Sequence, residues 1–119
     1  MTTPTSATIL SFPLERARPG LRQHLSRVAQ MIRDAQAQGA WQQKTCKVSP
    51  DFVLGIIPSE AALATTSVPR MADCAIKVSL LSLHAIHAGD WAAREAIPAI
   101  MDLQVAAARF HDIAARKAS

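Results

Sequence analysis

His84 and His87 stand three residues apart in the stretch SLHAIHAGDW, and Asp90 follows three residues after the second. Two imidazoles at i and i+3 share one helix face and can ligate a single divalent metal. A nearby carboxylate can complete such a set or exchange a proton. His111, in the dipeptide His111-Asp112, supplies a further imidazole. The chemistry of helix ends offers a plainer account of the same residues. Gly89 is the residue type that ends a helix in the left-handed conformation. Asp90 is a strong N-cap for a helix opening at Trp91. Histidines in a last turn suit the negative end of the helix dipole. The stretch therefore reads as helix, glycine stop, cap, helix, which is an αα-hairpin. In such a hairpin, residues equidistant from Gly89 lie side by side. His84 then falls near Glu95, its candidate co-ligand, whereas His111 falls near position 68, about four turns away. The expectation is no metal and no cofactor, with His84, His87 and Glu95 as the residues to watch if a metal binds.

The other reactive types carry less. Lys44 and Lys47 flank Cys46, an arrangement that can lower a thiol pKa and make the sulfur redox-responsive. An ordinary free thiol in a basic loop is the preferred reading. Cys74 lies in an apolar run and reads as buried and inert. No Walker A, GxGxxG, GxSxG or HExxH pattern occurs. With four glycines in the chain, a phosphate-cradling loop has little to be made from.

The elements that must position these residues follow from composition and periodicity. The chain has 119 residues, half of them hydrophobic, which suits one domain with a core. Tyr is absent, and the aromatics are Phe12, Trp41, Phe52, Trp91 and Phe110. A core of Leu, Ile, Val, Met and Ala suits close-packed helices better than a β-sandwich. Leu21, Leu25, Val28, Ile32 and Ala35 repeat with the spacing of one narrow helical stripe, predicting a first helix from Leu21 to about Gln38, stopped by Gly39. "SPDF" at 49–52 offers a cap, a first-turn proline and an acid, favouring a short helix, although "FVLGII" also reads as a buried strand. Ser59 with Glu60 behind it predicts another short helix. A long, broadly apolar helix is expected from Pro69 or Arg70 to Ala88, with Asp73, Lys77 and His84 as its polar stripe. The last helix is expected from Trp91 to Arg116, buried along Ala96, Ile100, Leu103, Ala107, Phe110 and Ala114. Pro98 should kink it near Arg94–Ile97. No internal repeat is legible.

Residues 1–20 read differently. Pro13 and Pro19 disfavour a long helix, so this segment is expected to be a flexible or extended arm ahead of a single helical domain over 21–119. The formal charge also divides unevenly. Residues 1–47 hold seven Lys/Arg against two Asp/Glu (7 − 2 = +5), and residues 48–119 hold six against seven (6 − 7 = −1).

The sequence thus predicts an all-α small helical bundle with a long C-terminal αα-hairpin, completed by dimerisation. The leading functional expectation is a small non-enzymatic interaction or regulatory protein, an adaptor or inhibitor. It would bind a macromolecular partner through Ile9, Leu10, Phe12, Leu14, Arg16, Arg18 and Arg22. A nucleic-acid-binding regulator is the alternative, since basic residues can meet phosphates. No aromatic platform or helix-turn-helix supports it further. A small helical enzyme or metal-binding protein using His84, His87 or His111 comes third. No secretory signal pattern opens the chain, no apolar run is long enough to span a bilayer, and the cysteines lack CxxC spacing. A cytoplasmic protein with no membrane contact is expected.

Overall fold

The computed structural model describes residues 2–118, with side chains described for residues 15–112. It is a helical bundle. In chain order, α1 spans Thr2–Ala37, α2 Pro50–Ile56, α3 Glu60–Leu63, α4 Val68–His87 and α5 Ile97–Ala118, with a 3-10 turn at Arg94–Ala96 just before α5. The long helices α1, α4 and α5 pack on one another, and α2 packs against α1 and α4. Among the described residues there is no strand, and no helix is long and apolar enough to cross a membrane.

The first helix carries the stripe read from its spacing: Leu21, Leu25, Val28, Ile32 and Ala35 are all buried. Its start differs from the expectation. The helix is already formed when the described side chains begin at Glu15, and Pro19 lies inside it. An internal proline removes one backbone bond and crowds the preceding turn, at a cost of about 3 kcal/mol. Tertiary contacts made on both sides of Pro19 offset that cost. Leu21 is fully buried, Ala17 packs on the core, and the Arg18 guanidinium donates to the carbonyls of Leu63 (3.1 Å) and Thr66 (2.6 Å). Pro19 itself is exposed, so the carbonyl it leaves unpaired can be met by water. An extended path ahead of Leu21 would forfeit the Arg18 anchor.

The short elements follow their caps. Ser49 accepts from the Phe52 amide at 3.1 Å and Ser59 from the Ala62 amide at 3.1 Å, so "FVLGII" is helical where it could have been a strand. Ser67 caps α4 through the Arg70 amide. In α4 five small residues share the interior with Val68, Met71 and Val78. Ala72, Ala75, Ser79, Ser82 and Ala85 are buried, whereas Leu80 is 53% exposed. Residues this small let the backbones of neighbouring helices approach closely. The Ser79 hydroxyl donates to the Ala75 carbonyl at 2.6 Å. The Ser82 hydroxyl, equally buried, has no hydrogen-bond partner among the described residues. A buried hydroxyl without a partner is a net cost. Ser82→Ala is therefore expected to raise stability by up to about 1 kcal/mol in urea unfolding. A loss of that size would show that the hydroxyl is bonded in solution.

The last helix starts later than its sequence suggests. Residues 91–93 are not helical, and α5 opens at Ile97 with Pro98 in its first turn. A proline there gives up an amide that would be unpaired in any case. It starts the helix instead of kinking one. The buried stripe Ala96, Ile100, Leu103, Ala107 and Phe110 is as read from the spacing; Ala114 lies outside the residues whose side chains the structure describes.

A repeat hidden in the sequence becomes visible here. The segments AQAQGAW (35–41) and AIHAGDW (85–91) end α1 and α4 in the same way, fifty residues apart. Gly39 and Gly89 take positive φ of 64° and 82°. In each, the glycine amide and the next amide bond back to the helix: Gly39 to Gln36 and Ala40 to Ala35, Gly89 to Ile86 and Asp90 to Ala85. The tryptophans that follow meet. Trp41 and Trp91 form an antiparallel bridge, and their rings stack with centroids 4.8 Å apart and planes 12° apart. Upstream the buried positions also coincide: 21, 25, 28, 29, 32 and 35 in α1 answer 71, 75, 78, 79, 82 and 85 in α4. Only Val28 and Val78, Ala35 and Ala85, and the Gly and Trp pairs share a residue type over these positions, which is why the chain reads as repeat-free.

Candidate functional site

Asp90 is the most heavily engaged carboxylate described. It is 3% exposed and sits where the glycine turn of α4 meets the loop after α1. Its Oδ1 accepts the Thr45 amide at 2.9 Å, and its Oδ2 accepts the amides of Cys46 (3.0 Å) and Lys44 (3.2 Å) together with the Cys46 thiol (3.1 Å). Its backbone carbonyl takes the Gln42 amide at 2.8 Å. The carboxylate therefore clasps the 44–46 loop and does not cap a helix at Trp91. That helix start was an expectation from local spacing, and a distant run of unpaired amides outcompetes it. Burial by itself raises a carboxyl pKa. Here the Cys46 thiol and the amides of Thr45, Cys46 and Lys44 more than offset burial and hold Asp90 down to about 2.

The same contacts settle Cys46. Burial pushes the thiol pKa up most; a backbone hydrogen bond at Val48 opposes it, and the hydrogen bond to Asp90 and that carboxylate's negative charge add to the rise. The flanking lysines do not activate it. Cys74 is also pushed up, chiefly by burial, and both cysteines are free thiols.

The histidines lie elsewhere. His84 and His87 are exposed in the last turn of α4, and Glu95 is exposed in the 3-10 turn. Among the described residues no group of three His, Cys, Asp or Glu side chains is placed to hold a metal. His111 Nε2 lies 3.8 Å from Asp73 Oδ1 on the surface. This contact fixes the register of the α4–α5 pair, and it is shifted from simple counting because residues 91–93 are not helical.

The arginines expected to bind a partner are divided by the fold. Arg18 closes the end of α3 through the Leu63 and Thr66 carbonyls, and Arg22 reaches the Glu60 carbonyl (3.3 Å) and carboxylate (3.7 Å). Removing them would loosen the α3 connection, so their substitution is not neutral for folding. Arg16 is exposed and lines an open depression between α1 and α5. The side chains of Ile9, Leu10, Phe12 and Leu14 lie outside the described residues.

Sequence reasoning missed an apolar outer surface. Leu80, within the broadly apolar run of α4, projects to solvent with Met101 (42% exposed) and Val105 (47%). Seven residues along each helix from the Asp73–His111 contact lie Leu80 and Gln104, two helical turns on the same faces. Leu80 therefore sits at the α4–α5 seam, beside the turn that carries Met101 and Val105. Both α5 residues fall off the Ala96–Phe110 stripe, the one signal that could have revealed them. Comparison with protein-family models, curated proteins and solved structures finds no match to this chain.

Proposed function

We infer that this chain is a small non-catalytic interaction module that docks on a macromolecular partner through the outer face of α4 and α5. The observation that carries this reading is the exposure of Leu80, Met101 and Val105 together on one face. Large apolar side chains grouped on a surface mark sites of association. The one deeply buried carboxylate described, Asp90, is committed to holding a loop, so the most elaborate polar constellation serves architecture. The free thiols suit the cytoplasmic setting assumed by this reading. A second reading, a nucleic-acid-binding regulator, draws on exposed basic residues of the N-terminal third such as Arg27 and Lys44.

Leu80→Asp and Met101→Asp change exposed positions, so folding should be retained. Capture from an extract of the native host, followed by titration of the purified partner, should show at least roughly a tenfold loss of affinity for each variant. Unchanged binding by both variants would remove the α4–α5 face from the proposal. Recovery of nucleic acid, released steeply as salt rises, would favour the second reading.

A further inference from the structure

The edge formed by α1 and α5 carries two open depressions of opposite charge. One, about 420 Å³, lies between the early turns of α1 and the late turns of α5. Its floor is apolar, with Leu21 and Phe110, and its basic lining is Arg16 and Arg109 beside the imidazole of His24. The other, about 190 Å³, lies at the far end of α1 beside the 3-10 turn. Its floor includes Ala35 and Trp91, and its charged lining is Asp34 and Glu95. No acid lines the first and no base lines the second. The residues from α1 that line both fall on one side of that helix, since 16, 20, 24, 31, 34 and 38 keep three- and four-residue steps or their sum. The gap between 24 and 31 is filled by Arg27, exposed, at a level facing Asp102 on antiparallel α5. Arg27, Asp102, Arg109 and Glu95 make no hydrogen bond or ion pair among the described residues.

A strip that is basic at one end and acidic at the other, with Arg27 and Asp102 side by side between them, has ends that are complementary when the strip is reversed. We propose that the α1–α5 edge is the contact between two copies of this chain, related by a two-fold axis that crosses the helices near Arg27 and Asp102. The axis lays α1 antiparallel on the partner's α1 and α5 antiparallel on the partner's α5. Each basic depression then receives the acidic end of the other copy, with Arg109 opposite the partner's Glu95 and the partner's Asp34 level with Gly20, one helical turn from His24. The parallel arrangement would set basic end on basic end and acidic end on acidic end, which costs several kcal/mol in comparable interfaces, whereas the antiparallel one brings like residues together only at the axis, where Arg27 and Asp102 alternate. A closed two-fold contact uses the same patch on both copies, as this strip requires. The pairing leaves Leu80 and Met101 outside it, so it is independent of the partner surface on α4 and α5.

The test is charge reversal with complementation, read by analytical ultracentrifugation. Wild type should be a dimer at micromolar concentration in about 50 mM salt, and should dissociate toward monomer as salt approaches about 1 M. His24→Glu/Arg109→Glu and Asp34→Arg/Glu95→Arg should each associate at least roughly 100-fold more weakly, with helix content unchanged by circular dichroism. Mixed in equal amounts, the two variants should form a 1:1 heterodimer, because all charged ends are then opposed. Should a double variant lose helix content, the single neutral changes Arg109→Gln and Glu95→Gln replace it, each expected to weaken the dimer by roughly tenfold. Leu80→Asp should remain dimeric, which separates this proposal from the partner-docking reading. A monomeric wild type, reversed variants that dimerise as wild type does, or folded reversed variants that fail to pair with each other would each overturn the proposal.

Discussion

Trp91→Ala should be among the most damaging single substitutions in this chain, with a loss of about 3–5 kcal/mol in urea unfolding. Trp91 is 2% exposed and its ring lies flat on Trp41, itself 4% exposed. Truncation removes a large buried apolar surface and leaves a cavity where the ends of the two helix–glycine–tryptophan units meet. The stack adds about 0.5–1.5 kcal/mol beyond area alone. A small domain has a total stability of about 5–15 kcal/mol, so the variant should be partly unfolded at modest denaturant. Trp41→Ala should cost a similar amount, and it also leaves the Val48 carbonyl without the indole donor that bonds it at 3.1 Å. The two losses should not add, because either change already abolishes the stack. A cost below about 1 kcal/mol for Trp91→Ala, outside the range for buried aromatics, would mean that the tryptophans do not pack as described.

The second large effect belongs to Asp90. Asp90→Ala leaves three part-buried backbone amides and a thiol without their acceptor. Unsatisfied buried donors are costly, and the melting temperature should fall by roughly 10 °C. Asp90→Asn should also destabilise. It retains one acceptor oxygen but turns an NH₂ group toward donors, so an asparagine variant as stable as wild type would contradict the clasp. The pH dependence has a definite sign. The folded-state pKa of Asp90 is depressed from 3.8 to about 2. Its contribution is therefore present above the unfolded value and is lost as the pH falls through that window. Cys46 acts at the other end. Its pKa is raised from 9.0, so its contribution is present below that value and is lost as the pH rises through the higher folded value. Calorimetric scans of wild type should show a plateau between these limits, and in Asp90→Ala the acid shoulder should be reduced.

The clasp and the tryptophan stack share one origin. Both lie at the ends of helices that terminate in the same way, yet the two ends are not equivalent. Position 90 holds a carboxylate, and its counterpart at position 40 is Ala40, which is exposed. One copy of the repeat thus supplies an anion that the other copy's loop binds. The Asp90 clasp is the asymmetric feature of an otherwise matched pair of helix ends.

What the sequence determined by itself is the set of properties that depend on neighbours three and four residues away. The buried stripes Leu21–Ala35 and Ala96–Phe110 were legible because helical burial has a fixed period. The starts at Ser49 and Ser59 and the stops at Gly39 and Gly89 were legible because caps and left-handed turns are local chemistry. Tertiary structure decided the rest. Asp90 has the right type and place for an N-cap, and only the 44–46 loop, more than forty residues away, makes it a clasp. Pro19 reads as a helix breaker, and only Arg18 reaching α3, with Leu21 in the core, makes a helix there worth its local cost. Ser82 is buried and Leu80 exposed because the packing of α4 on α1 and α5, which residue type alone does not reveal, decides which face of the helix is interior. The kinship of 21–41 with 71–91 lies in burial and backbone shape, which substitutions among Leu, Met, Ala and Ser preserve while erasing the letters.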